Sequence, residues 1–425
     1  MDAASPMDAG AAGLPGDGRR AAGSTSVEAG GPASAPAGGL SRGGFSFELR
    51  AQDVATRARC GVFTTPHGEV ETPAFMPVGT RGTVKGVLPS QLRELGARML
   101  LANTYHLHLR PGEDVVRALG GLHRFMNWDG PLLTDSGGYQ VFSLAGISQV
   151  DDDGVTFQSV VDGARVRFTP ERAVEVQAAL GADVQMAFDQ CPADPRDRRL
   201  VEEGVLRTQR WLERCVRAHR ALGGESRGQA LFGIVQGGVF ADLRRSCLEA
   251  VCAHDLVGYA IGGVSVGETR EDMRTAVECT APLLPAHKPR YLMGVGMPED
   301  FFDAVAQGVD LFDCVTPTRH GRTHQAFTSL GQLNLRNADF ARDLRPLDPE
   351  CDCPCCTGFS RGTLRHLCKS NEMLGAQLLT LHNLRFFARL FERMRSAIPR
   401  GELTRLREAV LPTAMRRVSA KELAR

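Results

Sequence analysis

From Phe45 onward, short apolar runs of strand length alternate with amphipathic stretches of helical period. The candidate strands are 73–78, 98–103, 131–135, 184–189, 231–236, 258–262, 291–295 and 311–315, and each runs out into a polar or glycine-rich segment. Helical patterns lie between them at 170–180, 201–222, 241–254, 270–284 and 299–307. The first of these opens on Thr169-Pro170, a threonine N-cap followed by proline at the first helical position. Eight β-α units with near-continuous apolar strands predict a parallel (β/α)8 TIM barrel. An open doubly wound sheet is the competing architecture, but no dinucleotide glycine fingerprint follows the first strand.

Two segments break the alternation. Residues 150–168 alternate apolar and polar around Asp162-Gly163, the pattern of a β-hairpin inserted after the third strand. Residues 340–425 hold a cysteine cluster followed by long helices, which predicts an appended C-terminal zinc-binding helical subdomain packed on the barrel. Residues 1–44 are mostly Ala, Gly, Ser and Pro and are expected to be a disordered tail, because they offer little apolar surface to offset backbone entropy. That leaves 45–339 as the catalytic barrel.

Composition sharpens this picture. At 43% hydrophobic and 23% charged, the 425 residues have the balance of a globular protein. No stretch approaches the ~18 consecutive apolar residues of a spanning helix, which argues against membrane integration. Twelve cysteines are too sparse for a disulfide scaffold, and no signal-peptide pattern precedes them, so a cytoplasmic setting is expected. The net charge of +1 hides an asymmetry: from Thr316 onward there are 19 Lys and Arg against 10 Asp and Glu. A basic C-terminal quarter on an otherwise acidic chain is the distribution expected where one face meets nucleic acid.

The reaction site of such a barrel lies at the C-terminal ends of its strands. Those ends carry Asp135, Asp189, Gln236, Gly262, Gly263 and Asp313. A lone aspartate there reads as a turn cap; polar groups on five strand ends read as a shared site. Cys351, Cys353 and Cys356 fit one tight knuckle as zinc thiolates, and a tetrahedral site needs a fourth ligand. His382 follows on a predicted helix, with His366, Cys355 and Cys368 competing for that role. Thr318, Arg319, His320, Gly321 and Arg322 follow Asp313 closely and bring two guanidinium groups, planar forks suited to phosphates, near the same mouth.

Together these motifs resemble the tRNA-guanine transglycosylase family, its bacterial members in particular. The matching strings are TPAFMPVGT at 72–80, LANTYHL at 101–107, LTDSGGYQ at 133–140, YLMGVG at 291–296 and FDCV at 312–315, and the spacing of Cys351, Cys353, Cys356 and His382 agrees as well. The resemblance spans about residues 45–415. It implies a pentosyltransferase of queuosine biosynthesis that exchanges guanine 34 of GUN-anticodon tRNAs (aspartate, asparagine, histidine, tyrosine) for preQ1. It further implies Asp313 as nucleophile and Asp135 as proton acceptor and general acid. Asp189, Gln236, Gly262 and Gly263 are implied as base-reading groups, and Ser136, Gly137, Gly138, Tyr139 and Met293 as pocket walls. Gly294, Val295, Gly296, Met297, Pro298, Glu299 and Asp300, with residues 318–322, are implied to contact RNA. One structural Zn2+ per subunit and a homodimer are implied too. Val266 stands where queuine-using relatives have glycine, which favours preQ1. Queuine as the incoming base and a non-catalytic tRNA-binding subunit are the alternatives. A metal-dependent hydrolase would need ligands at the strand ends, whereas the candidate zinc ligands lie outside the barrel.

Overall fold

The computed structural model describes residues 42–144, 148–419 and 422. At its centre are eight parallel strands: β1 Ala74–Pro77, β2 Leu100–Ala102, β3 Leu132–Thr134, β4 Val184–Met186, β5 Ala230–Val235, β6 Gly258–Ile261, β7 Arg290–Leu292 and β8 Leu311–Cys314. In space they run β1, β8, β7, β6, β5, β4, β3, β2. A parallel bridge from Val78 to Leu101, with the Gly79 N–H donating to the Leu101 carbonyl at 2.6 Å, brings β1 back to β2 and nearly closes the ring. The barrel expected from the apolar runs is therefore present. Most strands stop short of their runs, because the last residues of each run leave the ladder and turn toward the mouth.

A three-stranded antiparallel sheet, Ser46–Gln52, Arg59–Thr65 and Gly68–Thr72, plugs the end at which the strands begin. Its Phe47, Phe63 and Val70 are buried in one cluster with Met76, Phe232 and Leu311, and the rings of Phe63 and Phe232 lie 5.8 Å apart. The apolar runs do not announce this sheet, since Ser46–Gln52 buries only alternate residues.

The insertion after β3 is larger than a hairpin. Ser148–Asp151 pairs antiparallel with Gly154–Gln158, which pairs with Arg165–Phe168, so three strands form where two were expected. The extra turn is made by Asp151, whose carboxylate accepts the N–H groups of Asp153 and Gly154 at 2.9 and 3.0 Å.

On the outer layer, Thr169 caps Pro170–Leu180 by accepting the Arg172 N–H at 3.2 Å. After β8 there is only the seven-residue helix Thr316–Arg322. The eighth place in the ring is filled by Met373–Ala397. From that helix Phe387 and Phe391 pack on Phe75 of β1 at 5.2 and 6.3 Å, and on Phe301 at 5.3 and 5.0 Å. Residues beyond 340 thus share the barrel's hydrophobic core. The described chain begins at Arg42, which bridges to Phe45, three residues inside the expected tail; residues 1–41 lie outside the described residues.

Candidate active site and metal centre

The residues that end β3, β4, β5 and β8 meet at the barrel mouth. Asp135, directly after β3, is buried, and its carboxylate is met by donors on every side. Oδ2 accepts from the Asn103 and Gln140 amides at 2.5 and 2.8 Å, and Oδ1 accepts the Thr104 N–H at 2.8 Å. Burial disfavours the charged form and outweighs these bonds, with the nearby Asp313 carboxylate adding to the effect, so the pKa is pushed up to about 6. Asp189, beyond β4, accepts from Gln236 Nε2 at 2.6 Å and from the Ser136 hydroxyl at 3.3 Å. Burial carries it to about 6 as well, opposed by those two donors and assisted by Asp135.

Asp313, within β8, is different. Its Oδ1 accepts the Tyr291 hydroxyl at 2.6 Å and the Gly294 N–H at 2.8 Å. Oδ2 has no hydrogen-bond partner among the described residues, and the side chain is only partly covered, so one oxygen is held and the other faces the mouth. Its pKa is raised, by burial first, against both of those bonds. Tyr291 is itself fully buried and is held far above its ordinary pKa by desolvation and by the Asp313 charge, so its proton stays on the phenol and is donated to the carboxylate.

The remaining mouth residues form the walls. Gln236 Oε1 is buried without a partner. A side chain at Gly263 would place Cβ 2.3 Å from that oxygen, and one at Gly262 would lie 2.8 Å from Nε2, so only glycine lets this amide lie flat on the backbone. Gly138 approaches Asp189 in the same way, its added Cβ falling 2.9 Å from the Asp189 carbonyl. Gly137 takes φ +78° to turn the chain past Tyr105. Tyr139 has half its surface exposed, and Met293, just after β7, is half-buried. Glu268 accepts the Val266 N–H at 2.9 Å and that of Ser265, pinning the loop after β6.

Among the segments expected to touch RNA, Gly294 and Arg319 are exposed, and Met297, Glu299, His320 and Arg322 are half-buried. Val295, Gly296, Pro298, Asp300, Thr318 and Gly321 are buried; Asp300 instead holds Arg270 at 2.7 Å. Neither Arg319 nor Arg322 forms an ion pair among the described residues, and Arg322 Nη1 is buried without a partner.

Away from the mouth, Cys351, Cys353, Cys356 and His382 are all buried, with ligating atoms within 4.8 Å of one another. His382 Nδ1 lies 3.2 Å from Cys356 Sγ and 3.7 Å from Cys353 Sγ, while Nε2 is 2.6 Å from the Phe327 carbonyl. That second contact fixes the tautomer that turns a lone pair to the thiols. Cys355, His366 and Cys368 fall outside this group. The cluster can hold a metal ion, with no protein-free ligand position implied by its four donors.

Reading the sequence alone gave no role to Asn103, Thr104, Gln140 or Tyr291, the groups that hold the two mouth carboxylates. Asn103 and Gln140 carry a weak signal, polar residues just past β2 and just past Asp135; Tyr291 inside an apolar run carries none.

A family model described as queuine tRNA-ribosyltransferase matches residues 53–415. Among curated proteins, the queuine tRNA-ribosyltransferase of Gloeobacter violaceus is 57% identical over 362 residues, covering 84% of this chain and 94% of that protein. That of Synechococcus elongatus is 56% identical over 354 residues (83% and 91%), and that of Desulforamulus reducens 50% over 365 residues (86% and 97%).

Carboxyls raised above the ~3.9 of an unfolded aspartate bind protons more tightly in the folded chain. Their contribution to stability is therefore full below pH ~4 and is lost as pH rises through the folded value of about 6. With aspartate side-chain carbons isotopically labelled, two carboxyl resonances titrating near pH 6 are expected by NMR, and Asp135→Asn and Asp189→Asn should each remove one. A spectrum in which every aspartate titrates below pH ~5 contradicts the desolvated site.

Proposed function

This chain belongs to the queuine tRNA-ribosyltransferase family, and on that premise we propose that it is a tRNA-guanine transglycosylase that exchanges guanine 34 of GUN-anticodon tRNAs for preQ1 through a covalent Asp313–ribose intermediate. The observation that carries this reading is the asymmetry of Asp313: one oxygen tied down by Tyr291 and Gly294, the other free toward the mouth.

Cleaving an N-glycosidic bond builds positive charge on the ribose, and a carboxylate can trap it at C1′. Asp313 Oδ2 forms the new C–O bond as the bond to guanine N9 breaks and its electron pair leaves with the base. The departing base needs a proton, and the incoming base must lose one as it attacks C1′, where the new C–N bond forms as the C1′–O bond breaks and its electron pair returns to the Asp313 carboxylate. Asp135, raised to about 6, is near enough to neutral pH to give and take that proton. Tyr291 donates to the Asp313 oxygen that does not attack and so orients the nucleophile without blocking it. The ester holds the base-free ribose C1′ on the enzyme while the bases exchange, provided water is kept out; the sugar-phosphate chain itself is never cut.

Guanine presents donors at N1 and N2 and an acceptor at O6. Asp189 accepts from the donors, and the Gln236 amide and a backbone N–H at Gly263 serve O6. In the described state the Gln236 amide donates to Asp189 instead, so the base takes over a bond already made within the pocket. Adenine would leave buried groups unpaired. Tyr139, half exposed, is assigned to stack on the flipped base, and Arg319 and Arg322 to supply the cationic contacts for phosphates. Val266, half-buried in the loop pinned by Glu268, leaves less room than glycine and favours preQ1 over queuine.

The Cys351, Cys353, Cys356 and His382 donors fit Zn2+, whose tetrahedral sites take thiolates and imidazole. Bound there, the ion would supply cross-linking rather than chemistry, since no ligand position is left for water. A cytoplasmic homodimer, one protomer reacting while its partner helps hold the RNA, completes the proposal. The twelve cysteines form no disulfide, which suits the cytoplasmic setting, and no helix among the described residues is long and apolar enough to cross a membrane.

Incubation of unmodified GUN-anticodon tRNA with radiolabelled preQ1 should place label in nucleoside 34, with free queuine turned over more slowly; equal turnover of the two removes the role given to Val266. Asp313→Asn should lower exchange by ~10,000-fold or more and abolish the RNA adduct in denaturing gels, while tRNA binding persists. An adduct retained in that variant assigns the nucleophile elsewhere. Arg319→Ala and Arg322→Ala are each expected to flatten the salt dependence of tRNA binding by about one unit of slope, and an unchanged slope would count against phosphate contact. Structural zinc contributes ~10–16 kcal/mol in small peptides, so Cys353→Ser should drop metal content by one equivalent and melt the short knuckle helix Pro354–Gly358 first. Full protection of that helix in hydrogen exchange by the metal-free variant would sink the structural role.

A further inference from the structure

At the floor of the barrel, opposite the mouth, a second group of ligating side chains converges. Asp183, the residue before β4, is fully buried. His67, in the turn between Arg59–Thr65 and Gly68–Thr72, places Nδ1 2.7 Å from Asp183 Oδ1. His123, from the helix Gly121–Met126, places Nε2 3.1 Å from Oδ2. The Leu132 N–H, at the start of β3, donates to the same oxygen at 2.8 Å. The two imidazoles are stacked, with centroids 3.7 Å apart and planes 18° from parallel. One donor atom from each of His67, His123 and Asp183 lies within 4.8 Å of the others.

Several features set this group apart from a routine His–Asp contact. The two rings are stacked at contact distance, yet both turn a nitrogen toward one carboxylate instead of away from it. The donors come from three separate elements, each fixed by its own backbone, so the arrangement is preorganised. Both Asp183 oxygens face the rings, Oδ1 toward His67 and Oδ2 toward His123. His67 is 43% exposed, which leaves a path from solvent and room for water ligands.

Two imidazoles and one carboxylate suit borderline ions such as Zn2+, Ni2+ or Co2+; Ca2+ and Mg2+ prefer all-oxygen sets. We propose that His67, His123 and Asp183 form a divalent transition-metal site that clamps the plugging sheet to the barrel floor. On binding, each neutral ring carries its proton on the nitrogen turned away from the ion, and Asp183 exchanges imidazole N–H contacts for the metal. The site is independent of the thiolate cluster around Cys353, which shares none of its elements.

The test uses the full-length protein with its resident metal retained, titrated calorimetrically with Ni2+ and then assayed for metal content after gel filtration. One Ni2+ per chain beyond the resident metal is expected, with a rise in melting temperature that grows with free Ni2+. His67→Ala, at a partly exposed position, should keep the fold by circular dichroism and weaken Ni2+ binding at least tenfold, and His123→Gln should do the same. Uptake of no Ni2+ by the native chain, or equal uptake by native chain and His67→Ala, overturns the proposal.

Discussion

Three carboxyl groups removed from water within electrostatic reach of one another set the terms for this molecule. Asp313 raises Asp135, and Asp135 raises Asp189, so each makes the charged form of its neighbour harder to hold. Such a set survives in a folded protein only if donors arrive from fixed directions. A barrel of parallel strands provides them, because every strand end delivers its polar residues to the same mouth. Asn103 after β2, Gln236 after β5 and Tyr291 in β7 each reach across to a carboxylate borne by another strand, and Gln140 folds back on Asp135 from the same connection after β3.

The long helix Met373–Ala397 couples the metal cluster to this mouth. His382 brings its imidazole to the thiols and to the Phe327 carbonyl. The next residue, Asn383, accepts the Phe327 N–H at 3.0 Å and donates to the carbonyls of Pro317 and Gln325 at 3.1 and 3.0 Å. Gly321 packs so closely on Thr380 that an added Cβ would sit 2.4 Å from its hydroxyl. One helix therefore fixes the segment that follows Asp313 and carries Arg319 and Arg322. The thiol and imidazole cluster is thereby linked to the segment after Asp313 through this helix and its bonds to backbone.

How much of this could be read beforehand depended on whether the signal was local. Eight apolar runs with polar ends were enough for the barrel, because parallel strands buried on both faces leave a nearly unbroken hydrophobic trace. The aspartates at the ends of those runs and the cysteine knuckle were legible for the same reason. Residues that act across the fold were not. The run containing Tyr291 looks like any buried strand, and its hydroxyl acquires a purpose only when β7 lies beside β8. The extra strand Ser148–Asp151 escaped because its exposed residues resemble a loop, and the first strand of the plugging sheet because its burial is one-sided. The helix filling the eighth ring position comes more than fifty residues after β8, a separation that suggested an appendage instead of a layer of the barrel.

The same residue type does opposite work at the two ends of two strands. β4 is preceded by Asp183 and followed by Asp189; β8 is preceded by Asp310 and contains Asp313 near its end. At the floor, Asp310 is paired with Arg59 through both oxygens and accepts the Arg290 N–H at 2.7 Å, while Asp183 is gripped by two imidazoles and held low. At the mouth, no cation pairs with Asp135, Asp189 or Asp313 among the described residues, and burial raises all three. A carboxylate paired with a fixed guanidinium, as Asp310 is with Arg59, is neutralised and chemically idle. One held only by neutral donors remains able to bond carbon or exchange a proton, and the direction of the strands decides which of the two an aspartate becomes.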